Sequence, residues 1–370
     1  MLRLPHLRRS DGSRKNRFVG SLGESYVEAD LGRAGDEVRA AIAAAEEEAT
    51  SPVERAEMLM EIAIGLQQRP KNADQLLAAI DLYERAQTIC PVDEPLLIAR
   101  MKARMGTAYL AVPSEGHESL EQARDKLGEA IPVLTQFGSP EEVAEAEINL
   151  GLAYQSLAGQ HRGRITDAIS AYQRALRTFN RDRFPQEFAI LQNNLATAFL
   201  SMPFTDNRAK MREALAVQAF EEGLRSVNLV DHPVEYAMLQ NNLGNALQYA
   251  SSSHTIENNL RALEAYDEAL RVRTAEAMPL EYANTVSNKA NCLWNLPDNP
   301  EFPDNGNRAN LIAARDYYRQ SREIFARSGE VDKARIVAEA CEQIDRELLS
   351  APPTNGASHV GTLLATSKLN

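Results

Sequence analysis

The sequence predicts an all-α solenoid, a stack of paired helices, and two periodic markers carry that prediction. Six prolines, Pro52, Pro95, Pro140, Pro185, Pro233 and Pro279, each stand eleven residues before a small residue: Ala63, Gly106, Gly151, Ala196, Gly244 and Ala290. Successive prolines are 43, 45, 45, 48 and 46 residues apart, a regularity that unrelated loops do not produce and that marks a repeat array. The second marker keeps the same steps. Tyr83, Leu127, Tyr172, Phe220, Tyr266 and Tyr318 each follow an alanine by four residues (Ala79, Ala123, Ala168, Ala216, Ala262, Ala314) and precede a small residue by three. Small, large, small at i, i+4 and i+7 is one stripe of a helix.

Each repeat therefore reads as helix A, from its proline to a few residues past the small position, then a loop, then helix B with the alanine–aromatic stripe. Proline suits the first turn of a helix because its missing N–H would have no partner there, and a small residue further on lets a neighbouring helix come close. The array spans residues 52–330, with repeats starting near 52, 95, 140, 185, 233 and 279. A chain of 370 residues would ordinarily divide into two or three domains, but a solenoid buries its core between successive repeats. The charged fraction of 25% and aromatic fraction of 6% suit a helical array, and strand-like alternation is not sustained anywhere.

The ends differ from the middle. Residues 1–22 form a basic arm, with Arg3, Arg8, Arg9, Arg14, Lys15 and Arg17 against Asp11 alone, on a chain whose net charge is −12. The arm is expected to be disordered in isolation. It lacks the apolar run of a secretory signal, although an Arg-rich, acid-poor segment is also compatible with a mitochondrial presequence. Residues 23–51 are expected to cap the array through an alanine-rich helix from Asp36 to Glu48, with Val38, Ala41, Ile42 and Ala45 on one side. At the other end Glu330 takes the next proline position and Cys341 the next small position. Residues 331–350 then form an unpaired capping helix whose Asp332, Lys333, Arg335, Glu339, Glu342, Asp345 and Arg346 supply the polar face that a terminal repeat needs. Residues 351–370 read as a flexible tail.

The helix A segments Leu239-Gln240-Asn241-Asn242-Leu243-Gly244-Asn245-Ala246, Leu191-Gln192-Asn193-Asn194-Leu195-Ala196 and Ile148-Asn149-Leu150-Gly151 resemble helix A of the tetratricopeptide repeat (TPR). The stripe Ala168-Ile169-Ser170-Ala171-Tyr172-Gln173-Arg174-Ala175 resembles its helix B. The Asn-Asn-Leu-Gly and Asp231-His232-Pro233 forms, in repeats longer than the usual roughly 34 residues, are most similar to the arrays of kinesin light chains and those beside bacterial CHAT proteases. The resemblance covers about Pro52 to Arg346. It implies a right-handed superhelix of about six helix pairs, capped at both ends, whose concave face is lined by the A helices.

The resemblance also implies a site. The residue two before the small position would lie in the groove and hold a bound peptide's main chain, which points to Asn149, Asn194, Asn242 and Asn288. The residue one after it would line the same groove, adding Asn245 and Asn291, while Leu152 and Thr197 depart from the pattern. Asn193 and Asn241 flank the ladder. Glu61 and Arg104 break it in repeats one and two. An asparagine amide both donates and accepts, so it can satisfy a peptide N–H or C=O without reading a side chain. Two uses are open at this level, peptide gripping and hydrogen bonding between adjacent helices. Replacing Asn194, Asn242 and Asn288 by alanine is expected to leave helicity and melting nearly unchanged while weakening partner binding by about tenfold or more; a collapse of melting would mark the amides as structural. Trp294, the single tryptophan, has two open roles as well, a binding anchor on the groove wall or core packing. The neighbouring stretch from Pro297 to Asp304 lengthens the loop of repeat six.

Catalytic and metal chemistry find no constellation in the sequence. Cys90, Cys292 and Cys341 are far apart and read as reduced, buried packing residues of a cytosolic protein. His6, His117, His161, His232, His254 and His359 fall in loops or tails, never at metal-ligand spacing. Neither a phosphate-binding glycine loop, a nucleophile elbow nor a zinc-protease motif occurs. The expectation is therefore a non-enzymatic cytoplasmic scaffold or adaptor, without cofactor or metal, that holds a peptide or helix of another protein. The alternatives are an accessory subunit of a separately encoded enzyme, such as a CHAT-type protease, or an assembly factor. Nucleic-acid binding through the arm is disfavoured because the acidic body repels phosphates.

Overall fold

The computed structural model of the chain describes residues 39, 42, 43, 47, 51–68, 70, 72–113, 116–203, 208–250 and 254–350. The basic arm, the C-terminal tail and most of the expected N-terminal capping helix lie outside them. Among the described residues there are thirteen α-helices, one short 3-10 turn and no strand. They are α1 (Pro52–Gln68), α2 (Ala73–Ile89), α3 (Pro95–Ala111), α4 (Glu118–Phe137), α5 (Pro140–Gly159), α6 (Ile165–Ala175) and α7 (Pro185–Leu200). Then follow α8 (Arg208–Leu224), α9 (Pro233–Gln248), α10 (Thr255–Leu270), α11 (Pro279–Trp294), α12 (Arg308–Arg327) and α13 (Val331–Ser350). The fold is a helical solenoid of adjacent antiparallel pairs. It divides into two compact units, the first ending at Ile89 and the second beginning at Cys90.

All six A helices begin at the marker prolines. In the loops before them a polar side chain folds the backbone. Asn180 accepts from the N–H groups of Asp182 and Arg183, Asn228 from those of Val230 and Asp231, and Thr274 from that of Ala277. Such local bonds favour turns over helix continuation. Helix α5 carries a full capping box: Ser139 Oγ accepts from Glu142 N at 3.1 Å and Glu142 Oε2 accepts from Ser139 N at 2.9 Å. Glu142 Oε1 also accepts from Arg100 Nε of α3 at 2.6 Å. The Arg100 hydrogen bond, opposed by partial burial and reinforced by Ser139, holds the Glu142 carboxyl below the usual carboxylate range.

The core lies between the two helices of each pair. The stripe residues Tyr83, Leu127, Tyr172, Phe220 and Tyr266 are fully buried, as are the alanines four residues before them. Close approach is the reason for the small residue on helix A. A Cβ added at Gly106, Gly151 or Gly244 would stand 2.6 Å from Leu127 Cγ, Tyr172 Cδ1 or Tyr266 Cε1 respectively, far inside van der Waals contact. The aromatic of helix B thus occupies the space that a side chain on helix A would need.

A further correspondence closes each pair. Three of the four stripe tyrosines meet a glutamine four residues beyond the small position: Tyr83 donates to Gln67 Oε1 at 2.8 Å, Tyr172 donates to Gln155 Oε1 at 2.9 Å, and the Tyr266 hydroxyl lies 2.8 Å from the Gln248 amide; opposite Tyr318 that position is Trp294. Where the stripe residue has no hydroxyl, at Leu127 and Phe220, that position is Leu110 or Leu200. Polar partner and polar group change together because an unmatched one would be costly.

The second unit ends in a clamp. Helix α13 packs on α12 through Val337, Cys341 and Ile344. The loop before α12 is self-structured: Asp298 accepts from the N–H groups of Ala309 and Asn310 at 2.9 and 2.8 Å, and so caps the first turn of α12 from a distance. Gly306, at φ 91°, closes that loop in a conformation that disfavours a side chain.

Two outcomes follow from this packing. Gly151→Ala is expected to destabilise the protein by about 1–3 kcal/mol through overpacking. Gly128→Ala, at an exposed helical position with open space around it, should stabilise by about 0.5–1 kcal/mol; urea denaturation of both variants tests the contrast. The second outcome concerns pH. Because the folded pKa of Glu142 is depressed, its stabilisation is complete above the unfolded value of about 4.3 and is lost as pH falls through the folded value. Glu142→Gln should therefore lower Tm at pH 7, and the gap to wild type should close as pH falls below about 4.

Candidate functional site

Within the second unit, successive A helices touch one another directly: α3 with α5, α5 with α7, α7 with α9 and α9 with α11. The B helices pack behind them, each against its own A helix and the next one. This inner A layer holds the sequence-predicted site residues, and its seams are polar.

Between α3 and α5, Asn149 Nδ2 donates to Thr107 Oγ1 at 3.2 Å. Between α5 and α7, Gln155 Nε2 donates to Thr197 Oγ1 at 3.1 Å, so Gln155 serves both its own pair and the next repeat. Between α7 and α9, Asn242 Nδ2 donates to Asn193 Oδ1 at 2.7 Å, and Gln186 Nε2 to Glu235 Oε1 at 2.7 Å. Between α9 and α11, Asn241 Oδ1 receives Thr285 Oγ1 at 3.1 Å and Asn288 Nδ2 at 3.4 Å. At the end of the same seam Asn291 Nδ2 donates to the Tyr249 hydroxyl at 2.8 Å.

Five of the predicted residues join into one relay. Asn288 donates to Asn241, Asn241 to Asn242 at 3.0 Å, Asn242 to Asn193, and Asn193 to Asn194 at 3.3 Å. Every amide passes its donor in the same direction, across three repeats. Asn193 and Asn241, the inner members, are only 9% and 7% exposed. The relay starts and ends on partly exposed amides, with the Asn288 oxygen and the Asn194 nitrogen uncommitted. Amides can chain in this way because each carries both donors and acceptors, and buried chains strengthen one another.

The remaining candidates stand apart from the relay. Asn245 turns into its own helix pair, where its Oδ1 accepts from the Tyr266 hydroxyl at 2.8 Å. A phenol has one proton and cannot donate to both Asn245 and Gln248. Gln248 Nε2 is otherwise buried without a partner, and turning that amide over lets it donate to the phenol oxygen. Trp294 is partly buried at the position that holds glutamine or leucine in other repeats. Its ring meets Tyr318 edge-on at 6.4 Å, and its Nε1 donates to Glu347 Oε2 of α13 at 2.8 Å. The indole thus helps fasten the terminal helix, together with Arg308, which donates to the Leu348 carbonyl, and Arg315, which pairs with Asp345.

Charges and thiols are held internally. Glu147, 4% exposed, receives both arms of Arg174 at 2.6 and 2.7 Å beside a cavity of about 380 Å³ between α4, α5 and α6. Lys289 pairs with Asp267 and lies over the Tyr317 ring; burial works against its charge, and Asp267 outweighs that and raises its pKa. The three cysteines are buried and form no disulfide. Burial pushes the Cys292 thiol up to about 12, where it is protonated and unreactive at neutral pH. Sequence reasoning missed Thr285, Tyr249 and Gln155 as seam residues. A detectable signal existed for Gln155, its covariation with tyrosine along the repeats, but none for the other two.

This geometry defines the chain as an array of helix-pair repeats with a hydrogen-bonded inner seam. No protein-family model and no curated protein matches the chain. Among solved structures it is similar to BtubC (BKLC) from P. vanneervenii, at 17% identity over 87% of this chain and 96% of that one, with a TM-score of 0.36. It is also similar to a Rap protein complexed with competence and sporulation factor, at 12% identity over 83% and 79% of the two chains, TM-score 0.38. A third is a circular tandem repeat protein, at 15% identity over 85% and 69%, TM-score 0.22. At these scores none of them bears on the site, which rests on this chain's own side chains.

The seam bonds revise the expectation that alanine at the asparagine ladder leaves melting unchanged. Asn242→Ala strands Asn193 Oδ1 and Asn241 Nδ2 in buried residues and is expected to cost about 1–3 kcal/mol. Asn149→Ala, which removes one bond to a partly exposed hydroxyl, should cost about 0.5–1.5 kcal/mol. Urea denaturation of the two variants gives the order, and equal costs would remove the distinction.

Proposed function

We propose that the chain is a non-catalytic scaffold or adaptor of the tetratricopeptide-repeat kind, holding an extended peptide or a helix of another protein along the A-helix layer. The observation that carries this reading is the recurrence of partly exposed amides at one register of successive A helices. Asn149, Asn194, Asn242 and Asn288 stand two residues before the small position in four consecutive repeats. The bonds to neighbouring amides and hydroxyls, across helices for Asn149, Asn242 and Asn288 and within the helix for Asn194, use only part of each amide's capacity, so the remaining donors and acceptors are preorganised. Each bond to a ligand main chain contributes about 0.5–1.5 kcal/mol net. A row of them orients a polypeptide, and side-chain contacts select it.

The test separates binding from folding. Affinity capture followed by mass spectrometry compares wild type with the double variant Leu152→Arg/Asn194→Arg. Leu152 and Asn194 are not fully buried, and the variant places bulk on the A layer while sparing the Asn242 bond. Proteins captured by wild type and lost by the variant, with Tm changed by no more than a few degrees, are the expected result. Identical captures would move binding away from the A layer.

A further inference from the structure

One arginine after repeat three lacks the partner that its counterparts have. An arginine stands five residues beyond the stripe aromatic in repeats three, four and five: Arg177, Arg225 and Arg271. In repeats four and five a glutamate three residues earlier neutralises it, Glu222 pairing with Arg225 and Glu268 with Arg271, the latter at 2.8 Å. In repeat three Arg174 takes the place of that glutamate. Arg174 turns to helix α5, where its Nε and Nη2 donate to Glu147, at the position of Gln192 and Gln240 in the following repeats. Arg177 is exposed, and among the described residues no carboxylate pairs with it.

Both arginines line the cavity of about 380 Å³ between α4, α5 and α6. That volume lies in the range of small-ligand sites, roughly 300–1,000 Å³, and exceeds what an inorganic anion fills. Solvent reaches it, because the Arg174 side chain is 43% exposed and Arg177 and Thr135 of its wall are exposed as well. The uncommitted polar groups on the wall are donors. Glu147 takes up Nε and Nη2 of Arg174, which fixes the guanidinium and leaves Nη1 without a protein partner. Thr178 Oγ1 has no protein partner, and Ser139 Oγ, which accepts from Glu142 N, keeps its own proton to give. Glu147 is the one carboxylate among the described lining residues, and Arg174 balances it, so Arg177 leaves the cavity with a net positive charge. Pro140, Val143 and Ala144 add a short apolar stretch.

We propose that this cavity binds a small organic acid, its oxyanion held by Arg177, Arg174 Nη1 and the hydroxyls of Thr178 and Ser139, its apolar body resting on Pro140, Val143 and Ala144. Guanidinium groups beside hydroxyls suit carboxylate and phosphoryl oxygens alike, and the shared feature is the oxyanion. The site uses two B helices and the turn that precedes α5, so it stands apart from the reading of the A layer as a polypeptide groove. Its walls belong to two repeats: Thr135, Gly138 and Ser139 come from the end of repeat two and the turn after it, Arg174, Arg177 and Thr178 from repeat three. A ligand that touches both fastens one repeat to the next and stabilises the folded array.

The experiment titrates the full chain with phenyl phosphate, with benzoate and with neutral benzyl alcohol by isothermal titration calorimetry, in chloride buffer of constant ionic strength. The two acids separate a phosphoryl from a carboxylate head. At least one of them is expected to bind at a single site, and benzyl alcohol is not. Arg177→Ala, at an exposed position, should keep the wild-type Tm and weaken that binding by about ten- to hundredfold. Thr178→Val, which should weaken it by about two- to tenfold, serves as a second variant should the first disturb folding. Arg225→Ala removes the equivalent but paired arginine of repeat four and should leave the affinity unchanged. Saturating acid should raise the Tm of wild type and leave that of Arg177→Ala nearly unmoved. Failure of both acids to bind wild type, benzyl alcohol binding as tightly as they do, equal affinities for wild type and Arg177→Ala, or an equal loss in Arg225→Ala would each overturn the proposal. None of these outcomes touches the scaffold reading, which the capture experiment judges on its own.

Discussion

The structure depends on one steric contact repeated along the chain, the insertion of a large side chain of helix B against a small residue of helix A. Leu127 on Gly106, Tyr172 on Gly151 and Tyr266 on Gly244 show its geometry, with no room left for even a methyl group on the A helix. The contact sets the distance between the two helices, and that distance sets which residues of the A helix are left to face the neighbouring repeat. At Tyr83, Tyr172 and Tyr266 the hydroxyl adds a second requirement that a glutamine on helix A meets. Sterics and hydrogen bonding therefore specify the same register, as expected of a sequence with little conflict between local and global preferences.

The inner seam follows from that register. Packing of the B helices behind the A helices brings successive A helices together, and the meeting residues are amides, hydroxyls and carboxylates in place of an apolar ridge. Apolar contacts stabilise such a seam in any register, whereas hydrogen-bonded amides do so only when each donor meets its acceptor. The relay from Asn288 to Asn194 thus fixes how repeats four, five and six sit on one another. It also leaves partly satisfied amides on an accessible face, the same residues that the proposed peptide binding would use.

The junction of repeats five and six departs from the rest. Elsewhere the turn between repeats drives an apolar side chain under the next A helix, and the core stays continuous. Arg273 and Thr285 interrupt it with a charge and a hydroxyl linked to the relay. The adjacent end is reinforced by polar ties, Trp294 to Glu347, Arg308 to the end of α13 and Asp298 to the start of α12. The stretch from Pro297 to Asp304, which the sequence presents as an acidic insertion, is in fact a folded cap with its Phe302 ring 58% exposed.

By itself the sequence determined the solenoid, the pairing of helices and the start of each A helix. These depend on proline chemistry and on i, i+4, i+7 stripes, both local along the chain. It also placed the asparagines correctly on helix A, because their register to the small position is local too. Only the tertiary structure decided what those amides touch. Asn149, Asn193, Asn241, Asn242 and Asn288 find partners more than forty residues away or on the adjoining turn, and the spacing of the repeats, 43 to 48 residues, varies enough that no sequence offset fixes which amide meets which. Trp294 had two open roles until α13 supplied Glu347. Arg273 looked like one more charged residue in a loop, because burial is a property of the assembled repeats and leaves no mark on the residues beside it.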